Sequence, residues 1–565
     1  MLKKILFGFV PLMLLTLIIW QFNTPTTIVN NGRSRAPQQH DAHSNSKAAQ
    51  IKGPFISEVS VPVRSDSIRD LSPINQIDPV INREINPRHN PNLLNAELEL
   101  GSRTPDALAA NGLNTNGRTP APLISFEGMN GAESGRFAPP DTVGDVGPDH
   151  YVQMVNVAMS IYAKDGTRLT GPTSLNDIWE PLGAPCGTQN EGDPIVLYDS
   201  LDDRWLLSQF TSPNGICIAI SQTADPTGDY WLYSFATPEF PDYFKFGVWP
   251  DAYFMSANES TYTAYAFDRL SMLDGEPAAY QFFSGGTNLY LPSDLDGANW
   301  PWDFATNTFY TFKDDEFADH GGGDDRLELW EFYVDWFEPS NSSFELVESI
   351  PITPFSYTVC GFFNLECIPQ PIPGANLDAL SEWPMYRFVY RNFDTYESLI
   401  GNFTVNVNAS SQAGIRWFEL RRDDFSTWEL YQEGTYAPDD EHRWVGSIAM
   451  DQDGNIALGY TVSSESTFPS IRYATRLAAD PLGTLQTETT LIAGGGVQTD
   501  APRWGDYAAM SIDPTDDCTF WYTNEYYAET SGTNWQTRIG AFKIPSCGGG
   551  GSEPVPWNWL PIIKH

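Results

Sequence analysis

Basic side chains are scarce in this sequence: 32 Lys and Arg stand against 72 Asp and Glu, a formal charge of −40 over 565 residues. Such a surface repels phosphate backbones, so nucleic acid is not an expected partner, and the charge itself speaks to solubility rather than to chemistry. Histidine is scarcer still, with seven in all. Only His150, His320 and His442 fall in the region read below as the folded domain, and none forms a metal-ligand motif. No Gly-x-Ser-x-Gly elbow, phosphate-binding loop or dinucleotide fingerprint is present. Long stretches with a 3.6-residue apolar period are missing too, which removes helical solenoids. The six cysteines contain no C-x-x-C and have no His beside them, so zinc is not indicated.

What is plentiful is aromatic, Gly and Pro: 18 Trp, 25 Tyr, 33 Phe, 45 Gly and 43 Pro, within a hydrophobic share of 41%. Short aromatic strands punctuated by Gly, Pro, Asn and Asp turns mark an all-β sandwich, barrel or propeller. The N-terminus, Met1-Leu2-Lys3-Lys4 followed by an apolar run from Ile5 to Trp20, has the charged and apolar regions of an export signal. No small-x-small cleavage site follows, so residues 1–22 read as a signal peptide or a membrane anchor. Residues 23–123 are rich in Asn, Pro, Ser and Arg and read as a linker or largely disordered arm. A segment such as Phe55 to Val61 is apolar enough to pack against the fold. Residues 547–565 form a Gly-rich joint and an apolar tail around Trp557 and Trp559.

Between these ends, over residues 124–546, a loose unit recurs about every 50 to 60 residues. Each unit opens on a turn with Gly, Pro and Asp and continues as alternating aromatic strands. Copies start near Pro139-Pro140-Asp141, Gly192-Asp193-Pro194, Phe246-Gly247-Val248, Pro292-Ser293-Asp294, Trp383-Pro384-Met385, Arg443-Trp444-Val445 and Arg503-Trp504-Gly505. A Pro-rich insertion from Cys360 to Pro373 lies between the fourth and fifth. Units of this size suit four-stranded propeller blades, so the expected fold is a seven-bladed β-propeller. The cysteines fall as three neighbouring couples, and in an exported chain the expected disulfides are Cys186–Cys217, Cys360–Cys367 and Cys518–Cys547.

Several segments carry a resemblance: Gly192-Asp193-Pro194 with Asp202-Asp203-Arg204-Trp205, Met385-Tyr386-Arg387 with Tyr390-Arg391-Asn392, Gly414 to Arg421, and Arg503-Trp504-Gly505-Asp506-Tyr507 with Thr519 to Glu525. In these the chain resembles exported bacterial β-propeller proteins of mostly unassigned activity. Sialidases are similar in architecture, but their S-x-D-x-G-x-T-W box is absent here, as are WD40 and kelch signatures. The resemblance therefore implies a fold and not a function.

Four groups of residues have chemical potential. Asp294, Asp296 and Asn299, and likewise Asp451, Asp453 and Asn455, space oxygen ligands around a Gly as calcium requires. Asp-Gly is equally the favoured tight turn between strands. The acids that open the units, Asp145, Asp193, Asp251 and Asp506, would face a central channel as paired carboxylates or cap their own turns. Arginines crowd the later units. Arg391, Arg416, Arg443 and Arg503 would clamp an acidic sugar if they converged, or stack internally on Trp and pair with local acids. His442 is the candidate general base, with Asp193 and Asp506 as partner carboxylates.

Two functions follow. One is an extracellular or surface-associated propeller, monomeric, that binds a glycan or a protein. The other is a hydrolase or lyase acting on an acidic polysaccharide at the channel.

Overall fold

The chain was examined as a computed structural model, which describes residues 51–74 and 105–549 apart from 303–304, 316–323, 361–365, 409 and 424–425. The export segment, the apolar tail and His320 lie outside the described residues.

The architecture is a seven-bladed β-propeller. Seven antiparallel units of four strands follow one another along the chain. Blade 1 runs from Val143–Val146 to Arg168–Ser174, blade 2 from Ile195–Asp199 to Tyr230–Phe235, and blade 3 from Asp242–Val248 to Tyr280–Gly286. Blade 4 runs from Leu291–Leu295 to Ser343–Pro351, blade 5 from Met385–Asn392 to Glu429–Tyr436, and blade 6 from His442–Met450 to Thr489–Ile492. Blade 7 takes Ala509–Ile512, Thr519–Tyr526 and Gln536–Lys543 from the C-terminal side and its outer strand, Ile124–Asn130, from the N-terminal side. The inner strand of each blade packs on the inner strand of the next, and that of blade 7 packs on that of blade 1, so the ring is closed. Between blades 4 and 5 the inner strands hydrogen-bond in parallel, Ser293 opposite Phe388.

Because each blade is stacked between two others, its inner and middle strands are buried on both faces. All ten residues of Glu397–Asn406 are buried. This explains why the sequence alternation is blurred: period-2 patterning belongs to strands with one wet face. Aromatic rings fill the seams, as with Phe254 on Phe309 between blades 3 and 4, and Tyr310 on Phe388 between blades 4 and 5.

The expected disulfides are all formed: Cys186–Cys217, Cys360–Cys367 and Cys518–Cys547. The first ties the loop ahead of blade 2 to that blade's third strand. The described part of the N-terminal arm departs from the linker reading. Lys52–Ile56 adds a fifth strand to blade 3, Val63–Arg64 adds one to blade 2, and Leu113–Arg118 pairs with Leu485–Thr487. What orders the arm is backbone pairing at open sheet edges, helped by Ile68, which is fully buried. Asp106 adds a buried ion pair with Arg416 at 2.7 Å. Composition alone gives no hint of such edge pairing. Among the described residues no helix is long and apolar enough to cross a membrane.

Candidate functional site

The approach to an inner strand is a sharp kink in six of the seven blades. Asp141 (φ 49°), Asp193 (48°), Tyr243 (49°), Leu380 (51°), Val445 (52°) and Asp506 (56°) all adopt the left-handed conformation there. Outside glycine this conformation is uncommon and costs about 1–3 kcal/mol. Leu380 and Val445 show that the kink itself belongs to the architecture. Blades 1, 2 and 7 differ in placing a carboxylate on it, and those three carboxylates meet.

They belong to one cluster of charged side chains drawn from blades 1, 2, 3 and 7. Asp141 and Asp193 hydrogen-bond through their side chains, and both lie in the field of Asp506 and Arg503. Arg503 donates through Nε to Asp506 Oδ1 at 3.1 Å, and its Nη2 is bonded to Oδ2. Asp242 of blade 3 faces Asp193, Arg503, Asp506 and Lys245. Lys245 is fully buried; its Nζ donates to the Phe244 carbonyl at 3.0 Å and lies 3.5 Å from the centre of the Tyr243 ring and 4.0 Å from that of Tyr507. The tyrosines bridge blades: Tyr243 donates to the Asp506 carbonyl at 3.0 Å and Tyr507 to the Pro194 carbonyl at 2.9 Å. Trp383 of blade 5 packs on Tyr243 at 4.2 Å. Asp141, Asp506, Lys245 and the aromatic rings are buried, while Asp193, Asp242 and Arg503 keep partial exposure.

Burial dominates the electrostatics of this cluster. It raises Asp141 well above the ordinary carboxylate range, and the charges of Asp506 and Asp193 add to it. Burial raises Asp193 as well, and the hydrogen bond between the two adds to the rise at Asp141 and opposes it at Asp193. Burial also pushes Asp242 up to about 8, helped by the charge of Asp193 and opposed by Arg503. The same desolvation lowers Lys245 to about 8 against the pull of Asp193, Asp141, Asp506 and Asp242. Four carboxyls and two cations thus crowd one neighbourhood, in which burial raises Asp141, Asp193 and Asp242 and lowers Lys245.

Of the candidates read from sequence, Asp193 and Asp506 enter this site. Asp145 and Asp251 do not. Asp145 accepts the backbone N–H of Tyr198 at 2.8 Å, linking blade 1 to blade 2, and burial raises it to about 7. Burial raises Asp251 to about 6, and its carbonyl accepts from Trp336. His442 belongs to another neighbourhood, where its Nδ1 accepts from the Ala413 N–H at 3.3 Å. Burial, with Arg443 beside it, lowers His442 to about 4, which makes it a poor base.

Of the two alternatives for the arginines, the contacts match the internal one, because each of the four is paired within the fold. Arg391 grips Asp517 at 2.7 and 2.6 Å, and Arg416 holds Asp106 and Glu433. Arg443 takes Asp439 and Glu488, and Arg503 takes Asp506.

The acidic turns also have partners within the fold. Asp294 and Asp296 both hold Arg387, whose Nε and Nη2 reach them at 2.7 Å, while Asn299 donates to the Asn392 carbonyl. A guanidinium stands where the cation was expected. Asp451 Oδ1 accepts from the N–H groups of Asp453 and Asn455 at 2.9 Å, the signature of a hairpin turn. Among the described residues, Asp314, Asp315 and Asp325 are the three acids whose oxygens lie within 4.8 Å of one another. Asp314 accepts the backbone N–H of Tyr357, and Asp325 accepts those of Phe355 and Asp315.

Asp141, Asp242 and Lys245 were not singled out by the sequence reading. One signal was available for Lys245: a lone Lys inside the aromatic run Tyr243-Phe244-Lys245-Phe246, where a strand buried on both faces gives a cation no water.

No protein-family model and no curated protein matches the chain. Among solved structures it is similar to the WD40 domain of SCAP from fission yeast, at 8% identity and a TM-score of 0.30, over 69% of this chain and 82% of that one. It is similar to Drosophila Semaphorin 1a extracellular domains 1-2 at 10% identity and a TM-score of 0.33, over 75% and 88%. An exo-β-1,3-galactanase from Clostridium thermocellum matches at 12% identity and a TM-score of 0.27, over 59% and 77%. The fold assignment rests on the closed ring of sheets.

Proposed function

We propose that this chain is an extracellular β-propeller that binds a glycan at this cluster of carboxyls and cations. One observation carries the reading: side chains from blades 1, 2, 3 and 7 gather there, with Asp193, Asp242 and Arg503 reaching solvent. Partly exposed carboxylates and a guanidinium beside aromatic rings are groups that bind sugar hydroxyls with charge-assisted hydrogen bonds. Three disulfides and the basic-then-apolar N-terminus support an exported protein. A glycan array probed with the full chain, followed by titration calorimetry on the hits, tests the reading. Asp193→Ala and Asp242→Ala are expected to weaken binding by about 10-fold or more, the worth of one charged hydrogen bond. Undiminished binding by both variants would sink it.

A second reading is hydrolysis of the bound glycan. It draws on Asp242, which burial holds up to about 8, as a proton donor at neutral pH in the field of the second carboxyl, Asp193. An acidic polysaccharide is not the favoured substrate, since the arginines meant to clamp it are paired inside the fold. Product analysis on the array hits decides: no release of shorter saccharides retires the hydrolase.

A further inference from the structure

We infer that the seam between blades 5 and 6 holds a binding site for a single oxyanion, a carboxylate or a sulfate, gripped by Arg421 and Arg476. The site lies where the third strands of these blades end, away from the kinks, and it is independent of the glycan reading. Arg421 stands near the end of the third strand of blade 5, Ala413–Arg422. The outer strand beside it carries a bulge: Glu419 pairs with Gln432 and Leu420 with Leu430, so Tyr431 is the extra residue. A bulge re-aims a side chain, and the centre of the Tyr431 ring lies 3.5 Å from the Arg421 guanidinium carbon. Tyr396, from the turn after the inner strand of the same blade, packs on that guanidinium at 4.2 Å. Nε of Arg421 donates to Glu419 Oε1 at 2.5 Å. Two rings and one acid thus hold the group in place. Its terminal nitrogens make no hydrogen bond among the described residues, and the side chain is 23% exposed.

Arg476 is an independent observation. It ends the third strand of blade 6, Ser470–Arg476, and is 1% exposed. A guanidinium buried so completely is ordinarily paired with an acid. Among the described residues this one has no ion pair: Nη2 donates to the Asp480 carbonyl at 3.0 Å, and Nε is buried without a partner. The Asp480 carboxyl is spent on the Leu477 N–H at 2.9 Å and on Gln486 Nε2 at 2.8 Å. Glu419 is taken by Arg421 and Gln432. Burial accordingly lowers Arg476 against the pull of both carboxyls. A buried donor without an acceptor is completed by a group that brings acceptors.

Contacts across the seam bring the two arginines to one place. The turn that carries Asp480 packs on blade 5, where the Gly483 N–H donates to Gln432 Oε1 at 3.1 Å. Gln432 donates in turn to Glu419, the acid that holds Arg421. A Cβ at Gly454 of blade 6 would stand 3.7 Å from the Tyr396 hydroxyl and 3.8 Å from Cβ of Ala478, two residues beyond Arg476. Arg421 and Tyr431 lie in the field of Arg476. The seam therefore offers guanidinium N–H groups without acceptors. A carboxylate or sulfate brings acceptors only and fits the guanidinium fork, whereas an ammonium brings donors alone.

The test is thermal melting of the full chain in sodium chloride, sodium acetate and sodium sulfate, all at one ionic strength of about 0.3 M. Sulfate stabilises folded proteins generally, so the quantity that counts is the rise over chloride in wild type minus the rise in Arg421→Gln. Acetate or sulfate should give an excess of about 2 °C or more. Arg476→Met should lose the same excess. In chloride it should melt no lower than wild type, because it replaces an unpaired buried charge with an apolar chain. Arg421→Lys keeps the charge but not the fork, and should need about 10-fold more anion for half the rise. Lys52→Gln, on the added strand of blade 3, should keep the whole excess. An excess in acetate assigns a carboxylate, and one in sulfate assigns a sulfate. No excess with either anion overturns the site. An Arg476→Met chain that melts well below wild type in chloride yet keeps the excess makes Arg476 structural and also overturns it.

Discussion

Lys245 carries a charge into a space with no water and is held there by two tyrosine faces, two carbonyls and the field of four carboxyls. Removing one member of such a buried charge cluster leaves the others uncompensated. Lys245→Ala is therefore expected to lower the unfolding free energy by about 3–5 kcal/mol in denaturant titration, and Lys245→Met, which keeps the stem, by less. Asp242 sets a pH dependence of opposite origin. Its carboxyl holds a proton in the folded protein up to about 8 that the unfolded chain releases near the ordinary carboxylate value. The folded state thus binds more protons across that interval, and stability falls as pH rises from about 4 to about 8. Asp145 and Glu259, each raised by burial to about 7, act in the same direction. Melting temperatures between those limits should decline with pH, and Asp242→Asn should flatten the decline; an unchanged slope would remove Asp242 from the account. At this scale the sequence was half legible. Asp193 and Asp506 stand out as acids that open repeats, but nothing local separates them from Asp145 and Asp251, which bond within the fold. The difference arises from which kinks face each other across the ring, and that is a long-range property.

At the scale of elements, the blades were readable and the arm was not. Repeats that each open on a Gly, Pro and Asp turn yielded seven inner strands in the right places, because each blade is a local unit built from neighbouring segments. The Phe55 to Val61 segment is apolar enough to suggest packing, but the strands Lys52–Ile56 and Val63–Arg64 are ordered by edges the chain builds more than a hundred residues later. Asp106 is the clearest instance: its side chain is fully buried against Arg416, which lies on blade 5. Asp106→Ala strands that guanidinium, with Glu433 and Thr435 left as partners. The expected cost is about 3 kcal/mol in denaturant titration, and Asp106→Asn, which keeps an acceptor, should cost less. If the two variants match wild type, the arm contributes nothing through this contact. The arginines stayed open between two roles for a related reason: guanidinium groups look available in one dimension, yet each of Arg391, Arg416, Arg443 and Arg503 finds its acid in three.

Across the whole molecule, 72 acidic groups against 32 basic ones impose a standing self-repulsion. Many interior pairs, such as Arg269 with Asp199, are shielded from salt by burial, whereas the surplus carboxylates lie mostly at the surface. Added salt should therefore stabilise the fold: the melting temperature is expected to rise between low ionic strength and about 0.5 M sodium chloride, and a fall would show that screened ion pairs outweigh the repulsion.

The ring is shut by a strand taken from the other end of the chain. Ile124–Asn130 precedes every other strand of the seven four-stranded blades in the chain, and its partner Gln536–Lys543 follows them all. Through the making of everything between, that edge waits with its hydrogen bonds unmet. A chain cut short by a few dozen residues would lose more than one strand, since blade 7 would be left without the piece that receives the waiting edge. Completion of the molecule is thus a single late event, and a cell that checks for unpaired edges has one place to look.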